Sequence, residues 1–81
     1  MNRDEIKTSV LNRLARIAPE IDPSQIDPDA DLRRQIDLDS MDYLNLMIAL
    51  SKQFKIDIPE TDYPKLATLN GCVDYLSSII L

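Results

Sequence analysis

A single serine stands where a polar stretch of the sequence gives way to a periodic apolar one. Ser40 follows Asp39, and no helix breaker occurs from Met41 to Phe54. Because Asp is a favoured N-cap residue, Ser40 is predicted to lie in the first turn of a helix. A hydroxyl there projects into solvent beside unpaired backbone N–H groups, which would stabilise an attached phosphate. The dipeptide alone, however, more often marks an ordinary helix cap.

Catalysis by this serine alone is not expected. A nucleophilic serine needs an adjacent base, and the 81 residues contain no histidine, which excludes histidine-based triads and zinc sites with histidine ligands. An exposed helix start is also expected to offer no pocket. Asp27, Asp29 and Asp31 are spaced like the start of a calcium-binding EF-hand loop. Leu32 and Leu38 stand where that loop requires glycine and glutamate, so we predict no metal site and no enzyme.

Composition limits the partners and the compartment. The chain carries 14 acidic and nine basic residues, a net charge of −5, which argues against nucleic acid because phosphate binding needs clustered Lys and Arg. Eight of the acidic but only two of the basic residues lie between positions 20 and 42, so a partner with a basic surface is expected. One cysteine excludes an internal disulfide. No long apolar run and no signal-peptide pattern occur, so we expect no membrane span and take the cytoplasm as the default location. A monomer is expected.

Three long helices are predicted from apolar residues that recur with a helical period. The first covers residues 3–18, between a capping-box-like start at Asn2 and a proline. The second begins at Asp39 or Ser40 and ends near position 54. The third covers about 69–80, after a capping threonine.

One long loop and one short helix connect these elements. Residues 20–35 are predicted to form the loop, with apolar anchors and one helical turn near 32–35. After an extended link, a short helix capped by Thr61 or Asp62 is predicted to end at Leu66. The expected fold is all-α, a small bundle of three main helices and one short helix in a single domain over residues 1–81.

The helix that starts at Ser40 carries two apolar stripes. One has the width of an ordinary core-facing stripe; it consists of Tyr43, Leu46, Met47, Leu50 and Phe54. The other lies on nearly the opposite side and consists of Met41, Leu44 and Ile48, which we call the outer stripe. A surface helix needs only one apolar face to fold, so the outer stripe is surplus to folding.

The whole pattern is similar to that of the acyl carrier protein family. Its motifs are Asp39-Ser40-Met41-Asp42, Phe54 fourteen residues after the serine, and Ile56-Asp57-Ile58-Pro59 before a capped terminal helix. The resemblance covers essentially the whole chain. It implies a non-catalytic carrier, to which a phosphopantetheinyl transferase attaches 4′-phosphopantetheine from coenzyme A. Acyl groups are then carried as thioesters on this arm.

The resemblance also implies roles for single residues. It places the attachment site at Ser40, with Asp39 beside it. Partner docking is expected at Asp37, Met41, Asp42, Leu44 and Ile48. The implied partners are the transferase and acyl-activating or acyl-transferring enzymes with basic surface patches, in fatty-acid, other lipid, polyketide or related biosynthesis.

Two departures from the family pattern bear on the pathway. Asp37 stands where the family usually has glycine, and Asn45 where it often has glutamate. We therefore expect a specialised carrier rather than one of housekeeping fatty-acid synthesis. Two alternatives stay open: a D-alanyl or other aminoacyl carrier of the same fold, and an unmodified helical protein-interaction domain.

Two further predictions concern residues outside the motif. Arg33 and Arg34 are expected to solvate the loop or tie it down. Cys72 lies on the periodic face of the last helix and is expected to be a buried core residue.

Overall fold

Four α-helices and two 3-10 segments make up the computed structural model, which describes residues 1–80. The α-helices are α1 (Arg3–Ile17), α2 (Leu32–Gln35), α3 (Ser40–Phe54) and α4 (Leu69–Ile80), and the 3-10 segments are Pro23–Gln25 and Glu60–Leu66. No strand occurs within these 80 residues. The all-α bundle of three main helices and one short helix is therefore confirmed. None of the helices in the described range is long and apolar enough to cross a membrane.

The helix starts follow the capping residues of the sequence. The Asn2 side chain accepts a hydrogen bond from the Glu5 backbone N–H at 2.9 Å, and the Glu5 carboxylate accepts one from the Asn2 backbone at 3.3 Å. This capping box starts α1, which ends at Ile17, one residue earlier than predicted. At the start of α4, the Thr68 hydroxyl accepts a hydrogen bond from the Gly71 backbone at 2.9 Å, as predicted.

The prediction for the short helix was wrong in its start and its cap. The segment begins at Glu60 after Pro59, with no side-chain capping bond, and is a 3-10 helix. Pro64 lies inside it and has no N–H to donate, which weakens any regular α-helical pattern there. Asp62 instead accepts a hydrogen bond from the Tyr75 hydroxyl at 2.7 Å, so its carboxylate ties the segment to α4.

One hydrophobic core joins the three main helices. α1 packs against α4 and α3, and α4 also packs against the 3-10 segment Glu60–Leu66. The fully buried side chains include Ile6 and Leu14 of α1, Leu46 and Leu50 of α3, and Leu76 of α4. This core fixes the orientation of α3 and therefore decides which of its two apolar stripes is exposed.

The long first connection is held in place rather than loose. Its anchors Ile26 and Leu32 are buried in the core. The Leu32 backbone N–H donates to the Ala67 carbonyl at 2.9 Å, and the Asn70 backbone N–H donates to the Pro28 carbonyl at 2.9 Å. The loop and α2 are thus bonded to Ala67 and to Asn70 in the first turn of α4.

Candidate functional site

Ser40 is the first residue of α3, and its side chain is exposed. Asp39 is the N-cap, and its carboxylate accepts a hydrogen bond from the Asp42 backbone N–H at 2.8 Å. This bond satisfies one of the helix's unpaired N–H groups and fixes the backbone that carries the serine. The predicted cap is confirmed, and the carboxylate of Asp39 is engaged within the helix start.

The turn before the site contains a residue in the left-handed conformation. Asp37 has a φ of 54°, a region that glycine enters at no steric cost and that Asp and Asn enter more readily than most other residues. The backbone explains why a glycine suits this position and why an aspartate can replace it. Leu38, between Asp37 and the cap, is buried and pins the turn to the core.

Arg33 lies against the serine, which the sequence did not indicate. Its terminal Nη2 donates a hydrogen bond to Ser40 Oγ at 3.1 Å. The guanidinium carbon also lies 5.8 Å from the centre of the Tyr43 ring, within the range of a cation–π contact. The interpretation of Arg33 as a loop-solvating residue was therefore incomplete. The two residues are seven positions apart across an irregular turn, so no periodicity relates them.

The Tyr43 ring is held on two sides. Its hydroxyl donates to the Tyr63 carbonyl oxygen at 2.8 Å, and the two rings meet edge to face with centroids 6.2 Å apart and planes at 87°. Burial raises the pKa of Tyr43 to about 12, so its ring stays neutral at physiological pH. Tyr43 is thus a fixed, uncharged surface under the guanidinium of Arg33.

An open groove of about 660 Å³ begins at the serine. We call it the Ser40 groove; it runs between α3 and the segment Glu60–Leu66, and its lining includes Arg33, Ser40, Tyr43, Leu44, Tyr63 and Pro64. The expectation that an exposed helix start would offer no pocket was wrong. A groove forms because the 3-10 segment stands beside α3, an arrangement that the periodicity of α3 alone does not contain.

The two stripes of α3 are separated as predicted. Leu46, Met47 and Leu50 are fully buried, whereas Met41, Leu44 and Ile48 of the outer stripe are 64%, 37% and 43% exposed. Asp37 is exposed and Asp42 is partly exposed, on either side of the serine. Acidic and apolar groups thus share the surface next to Ser40.

The aspartates of the EF-hand-like stretch serve the loop itself. Asp27 accepts a hydrogen bond from the Asp29 backbone at 2.9 Å, and Asp29 accepts one from the Asn70 side chain at 2.6 Å. Asp31 caps α2 by accepting from the backbones of Arg33 and Arg34. Within residues 1–80, no group of three potential ligands is positioned to hold a metal ion.

A small helical bundle that exposes one capped serine at the start of a core helix has the architecture of a carrier domain. Residues 8–76 match the family described as "Phosphopantetheine attachment site". An acyl carrier protein from Rubrobacter xylanophilus is 30% identical over 79 residues, which cover 94% of this chain and 93% of that protein. The chain belongs to the acyl carrier protein family.

Other relatives and one solved structure agree with this assignment. An acyl carrier protein from Thermosynechococcus vestitus is 29% identical and is covered over 95% of its length. The mitochondrial acyl carrier protein 2 of Arabidopsis thaliana is 27% identical, and the chain spans 61% of its length. The structure of acyl carrier protein from Enterococcus faecalis has a TM-score of 0.81 at 23% identity, over 96% of this chain and 98% of that one, and shows the same fold.

Membership of the family implies a non-catalytic carrier with covalently attached 4′-phosphopantetheine. This group would supply a thiol on a flexible arm, which can hold an acyl group as a thioester. The residues present fit it: an exposed hydroxyl, a guanidinium at 3.1 Å from that hydroxyl and a groove beside both that is lined by apolar as well as charged side chains. Because both bacterial and mitochondrial proteins occur among the relatives, the cytoplasmic location stays a prediction. The monomeric state is likewise a prediction.

Proposed function

We propose that Ser40 is the residue to which phosphopantetheine is attached, and that the arm carries acyl groups to biosynthetic enzymes. The observation that carries this proposal is the setting of the Ser40 hydroxyl. This hydroxyl is exposed and belongs to the first residue of a capped helix. Among the hydrogen bonds of residues 1–80 it takes part in one, as the acceptor from Arg33.

The other serines in the matched range are in less suitable settings. The Ser24 hydroxyl donates to the Asp22 carboxylate at 2.7 Å, and the Ser51 hydroxyl donates to the Met47 carbonyl of the preceding turn at 2.9 Å. Ser9 is partly buried in the middle of α1. An enzyme that modifies a serine must reach its oxygen and remove its proton, and Ser40 offers both at an exposed helix start.

Loading requires a second protein. Among residues 1–80, no basic group accepts a hydrogen bond from the Ser40 hydroxyl, and the Asp39 carboxylate is engaged by the Asp42 backbone N–H. A transferase acting in trans would therefore take the hydroxyl proton. The Ser40 Oγ–phosphorus bond forms as the phosphoanhydride of coenzyme A breaks, and adenosine 3′,5′-bisphosphate leaves. This division of labour agrees with a carrier that performs no chemistry of its own.

Partner enzymes are proposed to dock on the outer stripe and the acidic residues around Ser40. The stripe supplies exposed apolar contact area, and Asp37 and Asp42 supply negative charge beside it. Complementary charge mainly accelerates association, whereas buried apolar contacts set its lifetime. We expect the association rate with a basic partner to fall as salt is added, because salt screens exposed charges. A rate independent of salt would remove the charged part of this proposal.

The cargo is proposed to be acyl, delivered to enzymes of lipid, polyketide or related synthesis by a specialised carrier. The similarity to acyl carrier proteins along nearly the whole chain supports an acyl rather than an aminoacyl group. Incubation of the loaded protein with acyl-activating and with aminoacyl-activating enzymes, followed by intact mass measurement, distinguishes the two. A gain in mass only with the aminoacyl-activating enzyme would show that the cargo is aminoacyl rather than acyl.

The attachment site is tested by loading the purified apo protein. Coenzyme A and a broad-specificity phosphopantetheinyl transferase should add the mass of one phosphopantetheine group to the wild type and none to Ser40→Ala. Ser24→Ala, which removes an exposed hydroxyl elsewhere, is the matched control and should load normally. An unchanged wild-type mass, or a gain that survives Ser40→Ala, would refute the proposal.

A further inference from the structure

The side chain of Arg33 is placed to act on a group attached to Ser40. We propose that Arg33, seated on the Tyr43 ring, binds the phosphodiester of the arm and holds the first part of the arm over the Ser40 groove. Arg33 would then be a positioning residue, since it orients the arm and takes no part in bond making. This inference rests on the proposed attachment at Ser40.

The geometry brings the cation within reach of the phosphodiester. Arg33 Nη2 is already at hydrogen-bond distance, 3.1 Å, from Ser40 Oγ. Once Oγ is esterified it becomes a poorer acceptor, and the non-bridging phosphate oxygens, two bonds further on, carry a negative charge and become strong acceptors within reach of Arg33. A guanidinium presents five N–H donors in a planar fork that matches such oxygens. A small rotation of Arg33 therefore exchanges one hydrogen bond for charge-assisted ones.

The Tyr43 ring reduces the entropy lost in forming this contact. The guanidinium carbon lies 5.8 Å from the ring centre, and the ring is itself held by the Tyr63 carbonyl at 2.8 Å. A side chain that is already oriented loses fewer conformations when it binds. Lysine has no planar group to lie over the ring and would be ordered less well. Arginine at this position is thus suited to hold an anion at a fixed place.

The local charge favours a cation beside the phosphodiester. The segment from 20 to 42 holds eight acidic residues, and a phosphodiester adds a further negative charge at Ser40. Within residues 1–80, the ion pairs join Arg3 with Asp74 and Lys65 with Asp62, so the Arg33 guanidinium is not paired with a carboxylate. Its charge is available for the phosphodiester.

The groove gives the arm a direction. Arg33 and Ser40 both line the Ser40 groove, together with the apolar Leu44 and Pro64 and the ring of Tyr63. The carboxylates of Asp31 and Glu60 also line it, so Arg33 is the cationic group of this groove. An arm whose phosphodiester is held by Arg33 starts along this groove instead of pointing into solvent. The predicted consequence is a loaded protein in which the root of the arm moves less than a free chain end would.

The test uses the loaded protein and nuclear magnetic resonance, with no enzyme activity as readout. The ³¹P transverse relaxation rate reports how firmly the phosphodiester is held, and the side-chain Nε–Hε signals report the arginines. Arg33→Gln removes the charge, and Arg34→Gln is the matched control. Arg34 is the adjacent exposed arginine, and it lies outside the Ser40 groove.

We expect the Arg33 signal to shift between the apo and loaded proteins while the Arg34 signal stays. Arg33→Gln should lower the ³¹P relaxation rate, Arg34→Gln should not, and Arg33→Lys should recover part of the loss. Because the contact is exposed, removing it should change the ratio of held to free arm by up to about fivefold. High salt should bring the wild type toward the value of Arg33→Gln.

An Arg33 signal that is the same in the apo and loaded proteins would overturn the inference, as would equal relaxation rates in wild type and Arg33→Gln at low salt. If Arg33→Gln cannot be loaded, the shift of the wild-type signal decides. Failure of the attachment proposal is recognised separately and beforehand, because the wild type would then gain no mass or Ser40→Ala would gain it.

Discussion

Two leucines on the same helix give a direct test of which face of α3 is buried. Leu46 is fully buried, whereas Leu44, two residues earlier, is 37% exposed. Truncation of a fully buried leucine to alanine removes its transfer free energy and leaves a cavity, at a cost of about 3 kcal/mol. The same truncation at a partly exposed site that can relax should cost less than about 1 kcal/mol.

The difference is large enough to measure in a domain of this size. About 3 kcal/mol corresponds to a fall in Tm of roughly 12–24 °C for Leu46→Ala, and Leu44→Ala should lower Tm by only a few degrees. A domain of 81 residues is expected to have a stability of roughly 4–12 kcal/mol. Leu46→Ala should therefore still fold near room temperature. Thermal melts followed by circular dichroism give the Tm of each variant, and urea titrations give its free energy of unfolding.

Variants on the two faces of α3 should also distinguish an effect on stability from an effect on partner docking. Leu44→Ala and Ile48→Glu should reduce the kcat/KM of a partner enzyme acting on the carrier, with the far-UV circular dichroism spectrum unchanged. Leu50→Glu should instead unfold the domain, because it buries an unpaired charge at a fully buried position. Equal losses of stability in Leu44→Ala and Leu46→Ala would show that the two faces of α3 are wrongly assigned. Unchanged kcat/KM in Ile48→Glu would refute docking on the outer stripe.

Three other positions test the local structure. At Asp37, where φ is 54°, glycine should raise the stability by up to about 1 kcal/mol and valine should lower it by about 1–2 kcal/mol in urea titrations; the opposite order would contradict the backbone assignment. Burial raises the pKa of the Cys72 thiol to about 12, so a thiol reagent at neutral pH should find no fast-reacting thiol in the folded apo protein and one in the loaded protein; rapid reaction of the apo protein would count against a buried Cys72. The Tyr75 hydroxyl lowers the pKa of Asp62, and this hydrogen bond raises the pKa of Tyr75 to about 12. The difference in Tm between wild type and Tyr75→Phe should therefore be largest between pH 3.8 and pH 10.0, the ordinary pKa values of the two groups. It should shrink as the pH falls below 3.8 and as the pH rises from 10.0 toward 12. A difference in Tm that does not change with pH would refute this prediction.

Local signals in the sequence were sufficient for the three long helices and for the exposed serine. The start of α3 follows from Asp39, whose side chain bonds to a backbone N–H three residues on, so neighbouring residues determine it. The separation of buried Leu46 from exposed Ile48 follows from the helical period alone. These features are determined by neighbouring residues and do not depend on tertiary contacts.

The contacts of Ser40 could not be predicted in the same way. Arg33 reaches the serine across a turn that contains a left-handed residue, and the Ser40 groove needs the segment Glu60–Leu66 beside α3. Neither contact follows from the periodicity of apolar residues along the sequence. Both depend on how segments that are distant in sequence pack together. The turn signals around Thr61 also did not reveal that the short helix starts at Glu60 and is a 3-10 helix with Pro64 inside it.

The position of Arg33 is set by residues near the other end of the chain. Arg33 lies on α2, and α2 is attached to Ala67, the residue that follows the segment Glu60–Leu66, by the bond from the Leu32 backbone to the Ala67 carbonyl at 2.9 Å. Asn70 bonds the preceding loop twice, through its backbone to Pro28 at 2.9 Å and through its side chain to the Asp29 carboxylate at 2.6 Å. A loop of this length would otherwise move freely relative to α3. Ala67 and the first turn of α4 therefore hold the cation beside Ser40, and the long connection is a structural part of the carrier site.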